Sequence, residues 1–177
     1  MNSVTDIQNH KKIVVFGATG TIGKAVVAAL SPKYEVLQVG NRQELWITED
    51  SCGELKGDAY REAIWRSRIN LAFVTHSNRD QVAHKSFEIT ACGGFLLAER
   101  TPEHLACFRE DEEAAFFSDF EECRAKIERY LNDQPARSAI AAAGQRRAQS
   151  SGYDNDSVLR RLLTRAAELL AARDSTR

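Results

Sequence analysis

Three glycines at a spacing of three, Gly17, Gly20 and Gly23, stand in the run KKIVVFGATGTIGKAVV, and their placement already implies chemistry. Gly17 and Gly20 let a backbone turn sharply and approach a pyrophosphate, while Gly23 lets the following helix pack closely on the preceding strand. The helix start then offers unpaired N–H groups and a positive dipole end to phosphate. The competing reading is a strand-turn-helix that keeps this shape with no dinucleotide. A second group lies in the middle of the chain: Arg79, Asp80, Lys85 and Glu88, followed by Gly93-Gly94. Taken alone, Arg79, Asp80 and Lys85 make a solvated helix start with ordinary ion pairs, and Gly93-Gly94 makes a tight helix-to-strand connection. Glu88 sits between apolar Phe87 and Ile89, which fits either a site residue or a structural cap. Cys52, Cys92, Cys107 and Cys123 form no CxxC pair, and neither they nor His10, His76, His84 and His104 have zinc-site spacing, so reduced, mostly buried thiols are expected.

The elements that must position these residues alternate. IVVFG is a continuous apolar run suited to a strand buried on both faces. TIGKAVVAAL has helical spacing and stops before Ser31-Pro32, and YEVLQVG is a second strand, so the opening is a βαβ unit with a parallel sheet. Residues 41 to 57 are less regular, with room for a short strand around Leu45 to Ile47. DAYREAIWRSR reads as a helix with Asp58 as N-cap, INLAFVT as a strand, SNRDQVAHKSFEITAC as a polar loop entering a helix, and GGFLLAE as the next strand. Thr101 and Pro102 suit N-cap and N1 of a short helix. EAAFFS is a final strand, and Ser118 or Asp119 caps the helix through Tyr130. QPARSAIAAAGQRRAQS and NDSVLRRLLTRAAELLAAR are helical, and Val158, Leu159, Leu162, Leu163, Ala166, Leu169 and Leu170 form a stripe expected to pack on the sheet. The fold class is α/β: a single Rossmann-like, doubly wound parallel sheet with helices on both faces and a helical C-terminus.

Bulk properties narrow the function classes. The 177 residues suit a polar leader (1–10) and one domain (11–177). A net charge of -1 gives no reason to expect a nucleic acid partner. The N-terminus lacks an apolar signal core, and no run approaches the roughly 18 apolar residues of a membrane span. A cytoplasmic location is the expectation.

GATGTIG in its strand-turn-helix setting resembles the start of the short-chain dehydrogenase/reductase family, and the similarity extends through SPKYEVLQVGNR, about residues 11–42. The resemblance implies an NADP site on Gly17, Thr19, Gly20, Ile22 and Gly23, with Asn41 and Arg42 at the 2′-phosphate. That family also uses a tyrosine followed four positions later by lysine. Here Tyr34, Tyr60, Tyr130 and Tyr153 are followed at that distance by Gln38, Ile64, Gln134 and Ser157, so hydride chemistry of that type is not expected.

From about residue 43 onward the chain resembles the C-terminal half of glycosyltransferases of GT-B fold, and within them the CgeB-like branch related to the group 1 transferases. KGDAYREAIWRSRINLAF, SNRDQVAHKSFEITACGGFLLAERTPEHLACF, EAAFFSDFEECRAKIERYL and the SGYDND helix start carry the likeness. It implies that Glu88 binds the ribose hydroxyls of a nucleotide-sugar donor. Asp80, eight positions earlier, would lie near the transferred sugar, which makes Asp80 and Glu88 the candidate catalytic pair. Asn78, Arg79, Lys85, Gly93 and Gly94 complete the donor site, Arg79 and Lys85 by countering diphosphate charge and the glycines by letting backbone amides approach. No metal or cofactor is required by this chemistry; the donor is a substrate, and NADP belongs only to the dehydrogenase-like alternative. A GT-B enzyme needs two Rossmann-like halves, so a second such domain or a homodimer partner, and an acceptor, are expected. The sequence reads as composite, a dehydrogenase-like opening (11–42) joined to a transferase-like remainder (43–177).

Overall fold

A computed structural model describes residues 13–16, 21–32, 34–39, 55–75 and 79–174. The elements in chain order are β1 (Ile13–Phe16), α1 (Thr21–Leu30), β2 (Val36–Val39), α2 (Gly57–Arg66), β3 (Ile69–Ala72) and α3 (His84–Ala91). There follow β4 (Leu96–Glu99), α4 (Pro102–Cys107), β5 (Ala115–Phe117), α5 (Phe120–Asn132), α6 (Gln134–Ser150) and α7 (Asn155–Asp174). The five strands are all parallel in the order β2-β1-β3-β4-β5, with Ile13 paired to Val36 on one side and to Ile69 on the other. After β2 the chain crosses to the far side of β1. The strand order therefore reverses between β1 and β3, and open α/β sheets bind ligands beyond the carboxyl ends of such a pair.

Alternation along the strands builds two cores. Ile13, Val15, Ile69, Leu71, Leu97 and Phe117 point to one face, where α1 supplies Val26, Val27 and Leu30 and α5 supplies Cys123, Ile127 and Tyr130. Val14, Ala72, Leu96, Ala98 and Phe116 point to the other, against Ala63 and Ile64 of α2 and Ile89 of α3. Burial on both faces is why the strands read as unbroken apolar runs, and the doubly wound arrangement expected from the sequence is the one observed. Helix α6 begins beside α5, where Ile140 is buried, and ends against α3, where its Gln145 amide donates to the Ala91 carbonyl (3.3 Å).

Several boundaries follow local chemistry. Thr101 caps α4 by accepting from the His104 amide (3.1 Å), with Pro102 in the first turn. Of the two candidates for the α5 cap it is Asp119 that accepts, from Glu122 (2.8 Å). Asp58 is not the cap of α2. The helix opens one residue earlier at Gly57, Lys56 occupies the cap position, and Asp58 pairs with Arg61 inside the first turn. The strand after Gly93-Gly94 starts only at Leu96.

The largest departure concerns α7. Its stripe does not pack on the sheet: Val158, Leu159, Leu162, Leu163, Leu169 and Leu170 are 37% to 63% exposed. With α1 and α5 on one face and α2 and α3 on the other, the strands leave no uncovered face for a further helix.

Candidate functional site

The middle group of charged residues converges on α3. This helix presents Lys85 and Glu88 one turn apart on its outer side, while Ser86, Ile89 and Thr90 are buried beneath. Its inner face is tied down by hydrogen bonds. Thr90 Oγ1 donates to the Ser86 carbonyl (2.8 Å), and Ser86 Oγ lies 2.8 Å from His104 Nε2. The other ring nitrogen of His104 meets the Glu99 carbonyl, also at 2.8 Å. Burial holds the imidazole below its usual pKa, and the ring links α4 to α3 and to the end of β4.

Glu88 is exposed, and its Oε2 accepts a hydrogen bond of 2.8 Å from Tyr60 on α2. Burial, and then the bond to this carboxylate, push the phenol far above its ordinary range, so Tyr60 stays protonated and acts as a donor. Burial lowers the Lys85 ammonium, with Glu88 opposing that shift. At the helix end Trp65 Nε1 donates to the Cys92 carbonyl (2.5 Å), a second tie between α2 and α3. On its other side Glu88 opens on a cavity of about 420 Å3 between α3 and the α6–α7 turn, lined also by His84, Phe87, Gln149, Tyr153, Asp154 and Asn155. Phe87 and Tyr153 meet at 4.9 Å between ring centroids, and the Tyr153 hydroxyl donates to the Cys107 carbonyl (2.9 Å). Such a volume lies within the range of small-molecule sites, and its polar groups converge from three elements.

The other expected site residues fall differently. Arg79 and Asp80 lie before α3, both exposed and outside this cavity. Arg79 holds a left-handed backbone (φ 59°), a conformation costly for a residue with a Cβ and shared with Asp111 (φ 56°). The Asp80 amide bonds the Thr75 carbonyl (3.3 Å). Gly93 and Gly94 need correction as amides that approach a donor. Gly93 (φ 78°) donates to Thr90 and Gly94 to Ile89, each at 2.9 Å, so both amides are spent in closing α3 in a Schellman turn. A Cβ on Gly94 would come within 2.5 Å of Ile64 and 2.8 Å of Asn70, so its glycine is a packing requirement. Asn78, Gly17, Thr19, Gly20, Asn41 and Arg42 lie outside the described residues, while Ile22 and Gly23 fall in the first turn of α1. Sequence reasoning missed Tyr60 and Tyr153, since it tested the tyrosines only for a lysine four positions on.

A sequence model of a family described as glycosyl transferase-like matches residues 21–164. The chain belongs to that family. The match in this glycosyl transferase-like chain begins in α1 and runs across the junction expected near Arg42. No curated protein matches it by sequence. Among solved structures it is similar to a glycosyltransferase from Rickettsia africae ESF-5 (14% identity, 94% of this chain and 50% of that one, TM-score 0.70). It is also similar to sucrose-phosphate synthase from Thermosynechococcus elongatus (15% identity, 92% and 46%, TM-score 0.68). A third is the C-terminal domain of a glycosyl transferase group 1 family protein from Francisella tularensis (12% identity, 82% and 89%, TM-score 0.58). The chain thus spans about half the length of the first two and most of the third, in agreement with the expected likeness to a C-terminal half. No described helix is long and apolar enough to cross a membrane.

Proposed function

We propose that this chain is the donor-binding half of a glycosyltransferase, with the ribose of a nucleoside-diphosphate sugar held by Glu88. The observation that carries this reading is the Glu88 carboxylate itself. In a chain of the glycosyl transferase-like family it stands exposed on α3, one oxygen held by Tyr60, beside a cavity that Phe87 and Tyr153 line together with His84, Gln149, Asp154 and Asn155. Two acceptor oxygens match a vicinal diol. In the transfer the oxygen of an acceptor hydroxyl bonds to the anomeric carbon as the bond to the diphosphate breaks; negative charge collects on the departing diphosphate, and the hydroxyl proton passes to that leaving group or to solvent. Arg79 and Lys85 are the described cations placed before and at the start of α3 to meet that charge, and Asp80 belongs near the transferred sugar. Nothing in this set requires a metal. The acceptor half is a second Rossmann-like unit, supplied by further chain or by a partner, and the exposed stripe of α7 is the surface it covers. The free thiols of Cys92, Cys107 and Cys123 suit a cytoplasmic setting.

Titration calorimetry and thermal shift with UDP, GDP and ADP, and their sugars, test the reading. One series binds, stabilises the chain by about 2.7 kcal/mol at a hundredfold above its Kd, and loses its effect in Glu88→Ala with the circular dichroism spectrum unchanged. Equal binding by wild type and Glu88→Ala overturns it.

A further inference from the structure

Tyr60 and Glu88 are separated by 28 residues and belong to different helices, yet they meet in a hydrogen bond of normal length. An exposed glutamate on a helix normally samples several rotamers, and its carboxylate plane turns freely about the last torsion. Here Oε2 is pinned by a donor whose ring is packed against the core on the α2–α3 face. Oε1 and one lone pair of Oε2 remain for a ligand. Lys85, one turn back, is held by burial and feels the Glu88 charge, but among the described residues the hydrogen bond to the carboxylate comes from Tyr60. The phenol is not needed to hold α2 to α3, because Trp65 and the Cys92 carbonyl, together with buried Ile64 and Ile89, already do so.

We propose that Tyr60 is a positioning residue that fixes the Glu88 carboxylate in the orientation accepting both hydroxyls of a ribose, and so sets a preference for ribonucleotides over 2′-deoxyribonucleotides. The inference rests on the donor reading given above and adds to it the residue that makes Glu88 selective. A purely structural tyrosine would affect both kinds of nucleotide alike, whereas one acting through Glu88 affects only ligands that carry the diol.

The test is calorimetric titration of the full chain with UDP, GDP and ADP and with their 2′-deoxy forms, in wild type, Tyr60→Phe, Glu88→Gln and Trp65→Phe. Wild type binds one ribonucleotide about tenfold or more tighter than its deoxy form, the scale of a hydrogen bond to a charged group. Tyr60→Phe, which keeps the packed ring, loses most of that ratio by weakening only the ribonucleotide. Glu88→Gln also loses it, and Trp65→Phe keeps it. If Tyr60→Phe retains the wild-type ratio, or weakens both ligands equally, while Glu88→Gln abolishes the ratio, the inference is overturned and the donor reading stands. If Glu88→Gln leaves the ratio intact, or wild type binds none of the six nucleotides, the donor reading falls and takes the inference with it.

Discussion

Replacing Gly144 by alanine sets two known effects against each other. Gly144 lies inside α6, and helix propensity alone favours alanine there by about 1 kcal/mol. A Cβ at this position, however, would stand 2.3 Å from the Glu113 carbonyl oxygen, with Thr90 Cγ2 at 3.4 Å. Ordinary carbon–oxygen contacts are about 3.3–3.6 Å, so α6 must retreat by about 1 Å. The opposing atom cannot swing away as a side chain would. Glu113 is held by its own carboxylate, which accepts from the Arg109 amide (2.9 Å) and guanidinium (2.9 Å). Overpacking costs about 1–3 kcal/mol, and a rigid backbone neighbour places this case near the upper end. Subtracting the propensity gain leaves a loss of about 2 kcal/mol, which for a domain of this size is a fall in Tm of about 4–8 °C. Thermal and urea unfolding of Gly144→Ala measure it directly. An unchanged or higher Tm would refute the steric argument and show that α6 yields cheaply.

Other expectations follow from the same contacts. The Arg100 guanidinium bridges Glu110 and Glu122, holding the Glu122 carboxyl at about 2 and that of Glu110 below its usual range. Folded pKa values depressed in this way give stability that is full above about pH 4.5 and lost as pH falls toward 2. The urea midpoint therefore drops through that window, and Arg100→Met flattens the drop. Ser86→Ala strips the hydroxyl from the buried His104 ring and lowers stability by about 1–3 kcal/mol in urea unfolding. Gly94→Ala forces Ile64 and Asn70 apart and destabilises by about 1–3 kcal/mol. Ending the chain after Asp154 leaves the Tm within about 1 °C, because the large apolar side chains of α7 are exposed, and reduces self-association seen by light scattering.

What was legible in the sequence was whatever depends on near neighbours. Unbroken apolar runs gave the strands because both faces of the sheet are covered, and Thr101, Asp119 and Pro135 mark helix starts through contacts within three residues. Periodicity in α7 revealed an apolar face but not what lies against it, which depends on whether the sheet has a free side. The Tyr60–Glu88 bond was invisible because it joins two helices through the fold, and no spacing rule reaches across 28 residues. Gly93-Gly94 was legible as a turn, but the loss of its amides to the α3 carboxyl end required the geometry. Glu88 itself stood out by family resemblance, and the fold adds its partner and its cavity.

The cavity beside Glu88 takes part of its wall from Tyr153, Asp154 and Asn155, and Asn155 is also the first residue of α7. If, as proposed above, a second half seats on the α7 stripe and a donor fills the cavity, Asn155 belongs to both surfaces. Any shift of α7 on docking would then alter donor affinity, and by linkage the donor would alter docking by the same factor.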